Sequence, residues 1–327
     1  MIRYFQSGYL SRYIVILFLA LVLWIPSFIV HTNFEGTSLP FYQLLTGLAG
    51  NIYYLLMVIA FLIIIFSALV INNLCAETGI SAKVSLLGGF LFIVVASALT
   101  FYIEMSPFIW VNLLLLLLLR LLYLFPSSTN HIALSYNAGF LVGAASLFFT
   151  QLFLFIVVIW MAFFIHRSSS WRNYAVALIG ALTPFVFLFT WYFWIDQTDE
   201  FVMLALRFFD FSGFSAFLQM NKLDIALLVI LTVLVIFSVF QSFPHLRKKN
   251  INLRRNLQIT LYFIILSVLI ILLTGKVNSF QLIVIPSSII LVHTFSNLKK
   301  GRWANIVLTV FISLIIVNQF LKLLVLF

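Results

Sequence analysis

Charged residues and cysteine are both scarce in this chain. Only 8% of its 327 residues are charged, whereas roughly a quarter is usual for a soluble domain. The single cysteine, Cys75, excludes an intramolecular disulfide and argues against a metal site built from cysteines. No stretch is polar enough to form a soluble domain, and no nucleotide-binding loop or nucleophile motif stands out. These absences exclude the common classes of soluble enzyme.

The chain consists mainly of long apolar runs. Hydrophobic residues make up 64% of the sequence, and apolar runs recur from Tyr13 to Phe327. A run of about 18 or more apolar residues is long enough to span a bilayer. We therefore predict an all-α polytopic transmembrane protein that forms a single integral membrane domain over residues 1–327. About nine full spans are predicted, at 14–30, 51–74, 85–102, 108–124, 174–195, 225–243, 257–274, 279–296 and 304–325.

One further apolar stretch, 138–165, is too long for a simple span. As a single helix it would measure about 42 Å, more than the roughly 30 Å of hydrocarbon in a bilayer. It would also carry Arg167 and Arg172 to the side opposite the other basic loops. We therefore predict a broken, re-entrant helix pair, with one half at 138–149 and the other at 152–165.

The predicted loops differ in charge between the two sides of the membrane. Most of the 18 Lys and Arg residues fall on one side, with dense clusters at 244–255 and 297–302. Because loops rich in Lys and Arg stay in the cytoplasm, we predict a cytoplasmic N-terminus and a C-terminus on the outer side of the membrane. All acids except Glu77 then lie on the outer side. The positive-inside rule does not require this second asymmetry, so we expect any functional site on the outer side.

The net charge of +10 is spread over short loops. This distribution indicates contact with anionic membrane lipids and no nucleic-acid partner.

Two acids in the predicted outer loops are candidate catalytic residues. Glu35 lies in the first outer loop near His31, a candidate substrate-binding residue, and a carboxylate there is suited to act as general base towards an acceptor hydroxyl. Glu104 is the only charge in the short turn FYIEMSP and is suited to orient a donor. The alternatives are a solvated loop acid for Glu35 and a helix-capping or solvated role for Glu104.

A third group of acids, Asp196, Asp199 and Glu200, is a candidate metal site. Carboxylate oxygens are the ligands that Mg²⁺ and Mn²⁺ prefer, so a divalent cation is the cofactor that this group predicts. The spacing in WIDQTDE matches no metal motif closely, and acids at the start of the following helix explain the group equally well.

Two arginines are candidate ligands for a phosphate headgroup. Arg207 lies on a predicted amphipathic helix of the outer surface, and arginine binds phosphate bidentately. Arg120 follows a leucine-rich run inside a span, where an ionisable residue is a functional candidate. For both residues the alternative is a side chain that extends to the membrane surface without a ligand.

A family resemblance rests on three stretches: MIRYFQSGYLSRYIV at the start, NAGFLVGAASLFF in the middle, and IHRSSSWRNYAVALIGALTPFVFLFTWYFW. Together they resemble an uncharacterised family of Bacteroidota inner-membrane proteins over most of the chain. The resemblance carries no catalytic motif, but it implies a bacterial source and the inner membrane as the compartment, with the outer side and the C-terminus facing the periplasm. Members are often encoded near polyprenyl-phosphate sugar synthases, which implies work on envelope glycoconjugates.

The layout is also similar to multi-pass glycosyltransferases that use a polyprenyl-phosphate sugar donor. Those enzymes place a catalytic acid in the first outer loop and often a second acid in the next one. Glu35 and Glu104 occupy the corresponding loops of this chain. The first-loop acid of those enzymes is usually Asp, often in an acidic pair, whereas Glu35 stands alone.

The sequence thus predicts a protein of envelope biogenesis that transfers a sugar or related group from a polyprenyl-phosphate carrier on the periplasmic face. One alternative is a membrane scaffold or subunit of a secretion or envelope-assembly complex, with the small residues Gly139, Gly143, Ala144 and Ala145 as a partner interface. The other is a flippase or transporter of lipid-linked substrates, which would need a polar path through the membrane. Cys75, predicted to be cytoplasmic, offers thiol labelling as a test of orientation.

Overall fold

The computed structural model describes residues 2–6, 9–29, 42, 47, 52–99, 106–167, 170–206, 220–246, 251–298 and 301–326. Within these residues the regular structure is helical, without strands. The α-helices are α1 (Ile2–Phe5), α2 (Leu10–Ile29), α3 (Tyr53–Glu77), α4 (Leu87–Ala98), α5 (Phe108–Leu124), α6 (His131–Ser146), α7 (Ile156–Ile165), α8 (Trp171–Trp194), α9 (Thr198–Leu206), α10 (Lys222–Leu246), α11 (Ile251–Thr274), α12 (Val284–Asn297) and α13 (Gly301–Leu326). Short 3-10 helices occupy Phe125–Ser127, Thr150–Phe155 and Val277–Ile283.

Eight of the described helical segments are long and apolar enough to cross a membrane. The chain is therefore an all-α polytopic membrane protein, as predicted, but the number of full spans is eight in the described residues rather than nine. The described part of the predicted span 85–102 forms α4, which has only 12 residues. Such a helix is about 18 Å long, well short of the roughly 30 Å of hydrocarbon. Every residue of α4 is buried, so protein surrounds this short helix, and its apolar composition reflects the protein core.

The helical segment Val277–Asn297 lies at the centre of the bundle. It is 89% buried, and α3, α4, α10 and α11 pack against its α12 portion. The spans at Ser11–Ile29 and Lys222–Ser242 are only 22% and 28% buried. These two peripheral spans therefore present much of their apolar surface to lipid.

The apolar stretch 138–165 is broken, as predicted. α6 and α7 run in opposite directions on either side of a 3-10 turn. The ring of Phe125 lies 4.7 Å from that of His131, at the start of α6, and 6.2 Å from that of His166, just after α7. His166 Nε2 also donates to the carbonyl oxygen of Leu122 at 3.0 Å. The start of α6 and the end of α7 therefore lie at the same end of the bundle.

α6 and α8 approach each other closely along three glycines. A methyl group added at Gly139 would overlap the carbonyl oxygen of Ala177, and one at Gly143 would overlap that of Ala181. A methyl group at Gly180, on α8, would overlap the backbone of α6 in the same way. The glycines of the predicted partner interface are thus covered by another helix of the same chain, because only residues without a side chain let two backbones come this near.

The described charges divide between two ends of the bundle. We call one the basic end: it contains the ends of α5 and α7 and the starts of α6, α8 and α11, and carries Arg167, Arg254 and Arg255. The far end contains the start of α10 and the end of α13, where Asp224 contacts Lys322. Which compartment each end faces stays a prediction from the positive-inside rule.

Candidate functional site

Four of the predicted site residues lie outside the described residues. They are the two candidate catalytic acids, Glu35 and Glu104, and the candidate substrate-binding residues His31 and Arg207. Their roles therefore stay predictions.

The predicted metal-binding acids are exposed at the end of α8 and the start of α9. Asp199 and Glu200 lie in the first turn of α9, where carboxylates interact favourably with the positive end of the helix dipole. Asp196 follows α8 in a left-handed conformation, with φ of 53°. Among the residues that the structure describes, no group of three His, Cys, Asp or Glu side chains is placed to hold a metal ion. The metal prediction for these acids therefore gains no support.

Arg120 forms an ion pair at the basic end. Its guanidinium nitrogen lies 3.8 Å from a carboxylate oxygen of Glu77, and both side chains are more than 40% exposed. An exposed pair of this kind contributes about 0–1 kcal/mol. The arrangement is that of a surface charge pair, and Arg120 does not line the groove described next.

A groove with a volume of about 840 Å³ opens at the basic end, between α7, α8 and α11. It is lined by Phe163, Phe164, Ile165, Arg167, Tyr174, Arg254, Arg255, Gln258, Leu261, Tyr262 and Ile265. We call it the basic groove. A groove of this size is in the range of small-molecule sites, roughly 300–1,000 Å³.

The basic groove is polar at one end and apolar at the other. Along α11 its lining begins with Arg254 and Arg255 and ends with Ile265, a rise of about 16 Å. This depth is about half of the roughly 30 Å of hydrocarbon, which is one lipid leaflet. Ile265, at the apolar end of this lining, exposes 63% of its surface. The groove therefore has the polarity profile of a lipid molecule, with its charged end at the membrane surface.

The arginines of the basic groove have no acidic partner within the described residues. The two ion pairs found there join Arg120 to Glu77 and Lys322 to Asp224. Arg254 and Arg255 lie near the start of α11, whose first turn contains no acid. A helix N-terminus already carries a partial positive charge, so two arginines beside it repel that charge unless an anion is bound.

The backbone at Arg167 adds an independent observation. This residue follows α7 with φ of 57°, a left-handed conformation that usually falls to glycine and costs other residues about 1–2 kcal/mol. The preceding residue, His166, is fixed by its hydrogen bond to Leu122, and burial lowers the pKa of His166 below its ordinary value, so its imidazole stays neutral. Of these two neighbours, Arg167 is the charged one. Its strained backbone conformation places a permanently charged guanidinium at the groove.

A second, much smaller cavity lies inside the bundle, on the far side of its midpoint. It has a volume of about 20 Å³, and its polar lining consists of Trp24, Ser67, Asn112 and Gln281, all of which are buried. In chain order, Glu35 lies between α2 and α3 and Glu104 between α4 and α5. These four helices contribute most of the residues that line the cavity.

The far end also contains a buried ion pair that sequence reasoning did not identify as a site. Lys322 Nζ and Asn318 Nδ2 each donate to Oδ1 of Asp224 at 2.8 Å. The next residue on α13, Gln319, donates to the carbonyl oxygen of Ser97 at 3.1 Å. The only sign of this site in the sequence is the spacing of Asn318 and Lys322, which lie four residues apart and therefore on one helix face. Their partner on another span is not evident from the sequence.

Comparison with known proteins yields a family without an activity. No curated protein matches the chain, and no solved structure does. The resemblance to polyprenyl-phosphate-dependent glycosyltransferases thus receives no support from a named relative. The family of unknown function DUF6427 matches residues 41–327, which is most of the chain. The membrane protein described here therefore belongs to the DUF6427 family of unknown function.

Proposed function

We propose that the protein binds a phosphate-bearing membrane lipid in the basic groove. The observation that carries this proposal is the groove itself: three arginines, with no acidic partner among the described residues, lie at the mouth of an apolar channel one leaflet deep. Arginine binds phosphate bidentately and remains charged in a poorly hydrated site. Basic pockets between membrane helices are known to hold anionic lipid headgroups.

Two lipids share the required chemistry. One is a bulk anionic phospholipid such as phosphatidylglycerol, and the other is a polyprenyl phosphate, a carrier that the sequence predicts as a partner but on the opposite, outer side. Both present a phosphate at the membrane surface and hydrocarbon below it. Lipids of either kind would reach the groove from within the membrane, because Tyr262 and Ile265 in its α11 wall are exposed.

The test is lipid binding by the purified protein, measured by native mass spectrometry and by titration in nanodiscs. Four probes are compared: a polyprenyl phosphate, the same polyprenol without phosphate, phosphatidylglycerol and phosphatidylcholine. We expect binding of the two phosphate anions only. A preference for polyprenyl phosphate over phosphatidylglycerol identifies a carrier site, whereas equal binding identifies a site for bulk anionic lipid. Equal binding of polyprenol and polyprenyl phosphate refutes the proposal.

Substitution of the arginines separates the groove from the general charge of the basic end. Each hydrogen bond to a charged group contributes about 1.5–3 kcal/mol when buried, and partial exposure reduces this. The double variant Arg254→Gln/Arg255→Gln should therefore bind phosphate lipid more weakly, with a loss of affinity of up to about tenfold. Arg172→Gln is the matched control, since Arg172 is exposed at the same end but does not line the groove. An equal loss in the control variant contradicts a defined site.

The finer role, sugar transfer from a polyprenyl-phosphate carrier in envelope biogenesis, rests on Glu35 and Glu104. What supports it is chain connectivity, because the segments that contain these acids join helices lining the internal cavity. In this scheme the chain lies in the bacterial inner membrane, with its N-terminus in the cytoplasm. A Glu35→Gln variant that folds normally and leaves the envelope glycan profile unchanged would argue against transfer, without affecting the lipid-binding proposal.

The scaffold alternative has lost one of its supporting observations. Gly139 and Gly143, proposed as part of a partner interface, pack against α8 of the same chain. No other feature of the described residues favours a scaffold over a lipid-binding protein.

A further inference from the structure

Two residues that line the small internal cavity each carry a buried polar atom without a hydrogen-bond partner among the described residues. The atoms are Nε1 of Trp24, on α2, and Oδ1 of Asn112, on α5. Trp24 is 3% exposed and Asn112 is 8% exposed. The first atom is an obligatory donor, and the second is an acceptor, so the two are complementary but not bonded to each other.

The position of these atoms makes the missing hydrogen bonds costly. Trp24 is five residues from the end of α2, and Asn112 is four residues from the start of α5, which places both about 6–8 Å of helix rise inside the far end. Bulk water does not reach polar groups at hydrocarbon depth, and each unsatisfied group costs several kcal/mol there. A native structure avoids such a cost by supplying a partner.

The size and lining of the cavity limit what that partner is. A volume of about 20 Å³ exceeds the roughly 10–15 Å³ that a single water molecule needs. It is far too small for a lipid headgroup. The lining contains no charged residue, so nothing compensates the desolvation of an ion. Ser67 and Gln281 add further polar groups, and a buried water requires two to four polar partners.

We propose that the cavity is a binding site for an ordered water molecule, which accepts a hydrogen bond from Trp24 Nε1 and donates one to Asn112 Oδ1. The water links α2, one of the most lipid-exposed spans, to α5 in the core. It thereby attaches the far-end half of α2 to the bundle through hydrogen bonds. This inference does not depend on the lipid proposal, because the basic groove lies at the opposite end.

A double-mutant cycle tests the bridge through the unfolding equilibrium of the detergent-solubilised protein. The variants are Trp24→Phe, Asn112→Leu and the combination. Each single variant leaves one side of the bridge unsatisfied, so we expect the unfolding constant to rise about tenfold or more. Removing both polar groups leaves neither side of the bridge unsatisfied, so the double variant should be no less stable than either single variant. Strict additivity of the two effects would overturn the proposal.

A density map that resolves ordered waters provides a second measurement, which does not depend on the folding of the variants. A peak within hydrogen-bond distance of both Trp24 Nε1 and Asn112 Oδ1 is the expected result. A direct contact between the two side chains, or a dry cavity, contradicts the proposal. In the unfolding experiment, Trp191→Phe serves as the control for the loss of an indole, because Trp191 is 58% exposed and does not line this cavity.

Discussion

Replacing Gly139 by alanine tests the closest helix contact in the described bundle. The added methyl carbon would lie 2.8 Å from the carbonyl carbon of Ala177 and would overlap its oxygen. Carbon atoms in contact normally stand about 3.5–4.0 Å apart. α6 and α8 would therefore have to separate locally by about 1 Å, which would open contacts along the whole interface.

The expected cost of this separation is about 1–3 kcal/mol, the usual range for overpacking a core. Alanine is a better helix former than glycine by about 1 kcal/mol, which offsets part of the loss. Gly143→Ala should behave alike, because its methyl group would lie 2.9 Å from Cδ of Pro184. We expect the double variant Gly139→Ala/Gly143→Ala to lose more stability than either single variant.

The assay is equilibrium unfolding in mixed detergent micelles, followed by tryptophan fluorescence. Gly47→Ala is the matched control, since a methyl group there meets no atom within 4 Å. If Gly139→Ala were as stable as the control variant, the close packing of α6 on α8 would be refuted. An equal loss of stability in Gly139→Ala and Gly47→Ala would indicate a general effect of replacing glycine by alanine.

Two further predictions concern a charge pair and the single cysteine. Asp224→Asn and Lys322→Met should each destabilise the protein by about 3–5 kcal/mol, because each leaves a buried group without its charged partner. Replacing both residues by apolar ones should recover most of this loss, measured in the same unfolding assay. Cys75 is fully buried, so an impermeant thiol reagent should leave it unmodified from either side of the membrane. Val84→Cys, in a position 63% exposed near the basic end, should react from the cytoplasmic side only, and reaction from outside would reverse the predicted orientation.

The orientation test based on Cys75 shows how sequence and structure differ in what they reveal. The sequence places Cys75 near the end of a span, where labelling is a reasonable expectation. The structure buries it against neighbouring helices. Burial inside a bundle depends on which face of a helix meets its neighbours, and an all-apolar helix carries little sign of that face.

Helix α4 is a second example. Hydropathy predicts a full span at 85–102 because apolar composition is the same for a lipid-facing span and for a short helix enclosed by protein. The structure distinguishes the two, since every residue of α4 is buried. The reversal within 138–165 was predictable, because two arginines after it required a return to the basic side.

For the candidate sites too, the sequence shows the residues, and the structure shows which of them come together. The arginines of the basic groove are visible in the sequence as a topogenic cluster, yet their assembly with Arg167 requires α7 and α11 to lie side by side. Likewise, nothing in the sequence pairs Trp24 with Asn112 or Asp224 with Lys322. Contacts between residues on different helices are set by packing, and a single sequence does not report it.

By itself, the sequence determined the class of this protein, the position of most spans and the separation of charge between loops. These properties follow from transfer of single residues and short segments into a bilayer, which depends on composition and order along the chain. Only the tertiary structure decided which polar groups meet, which glycines bring helices together and where a groove opens to lipid. Those features arise from contacts between distant segments, because apolar helices in a lipid solvent are held by shape and by a few hydrogen bonds.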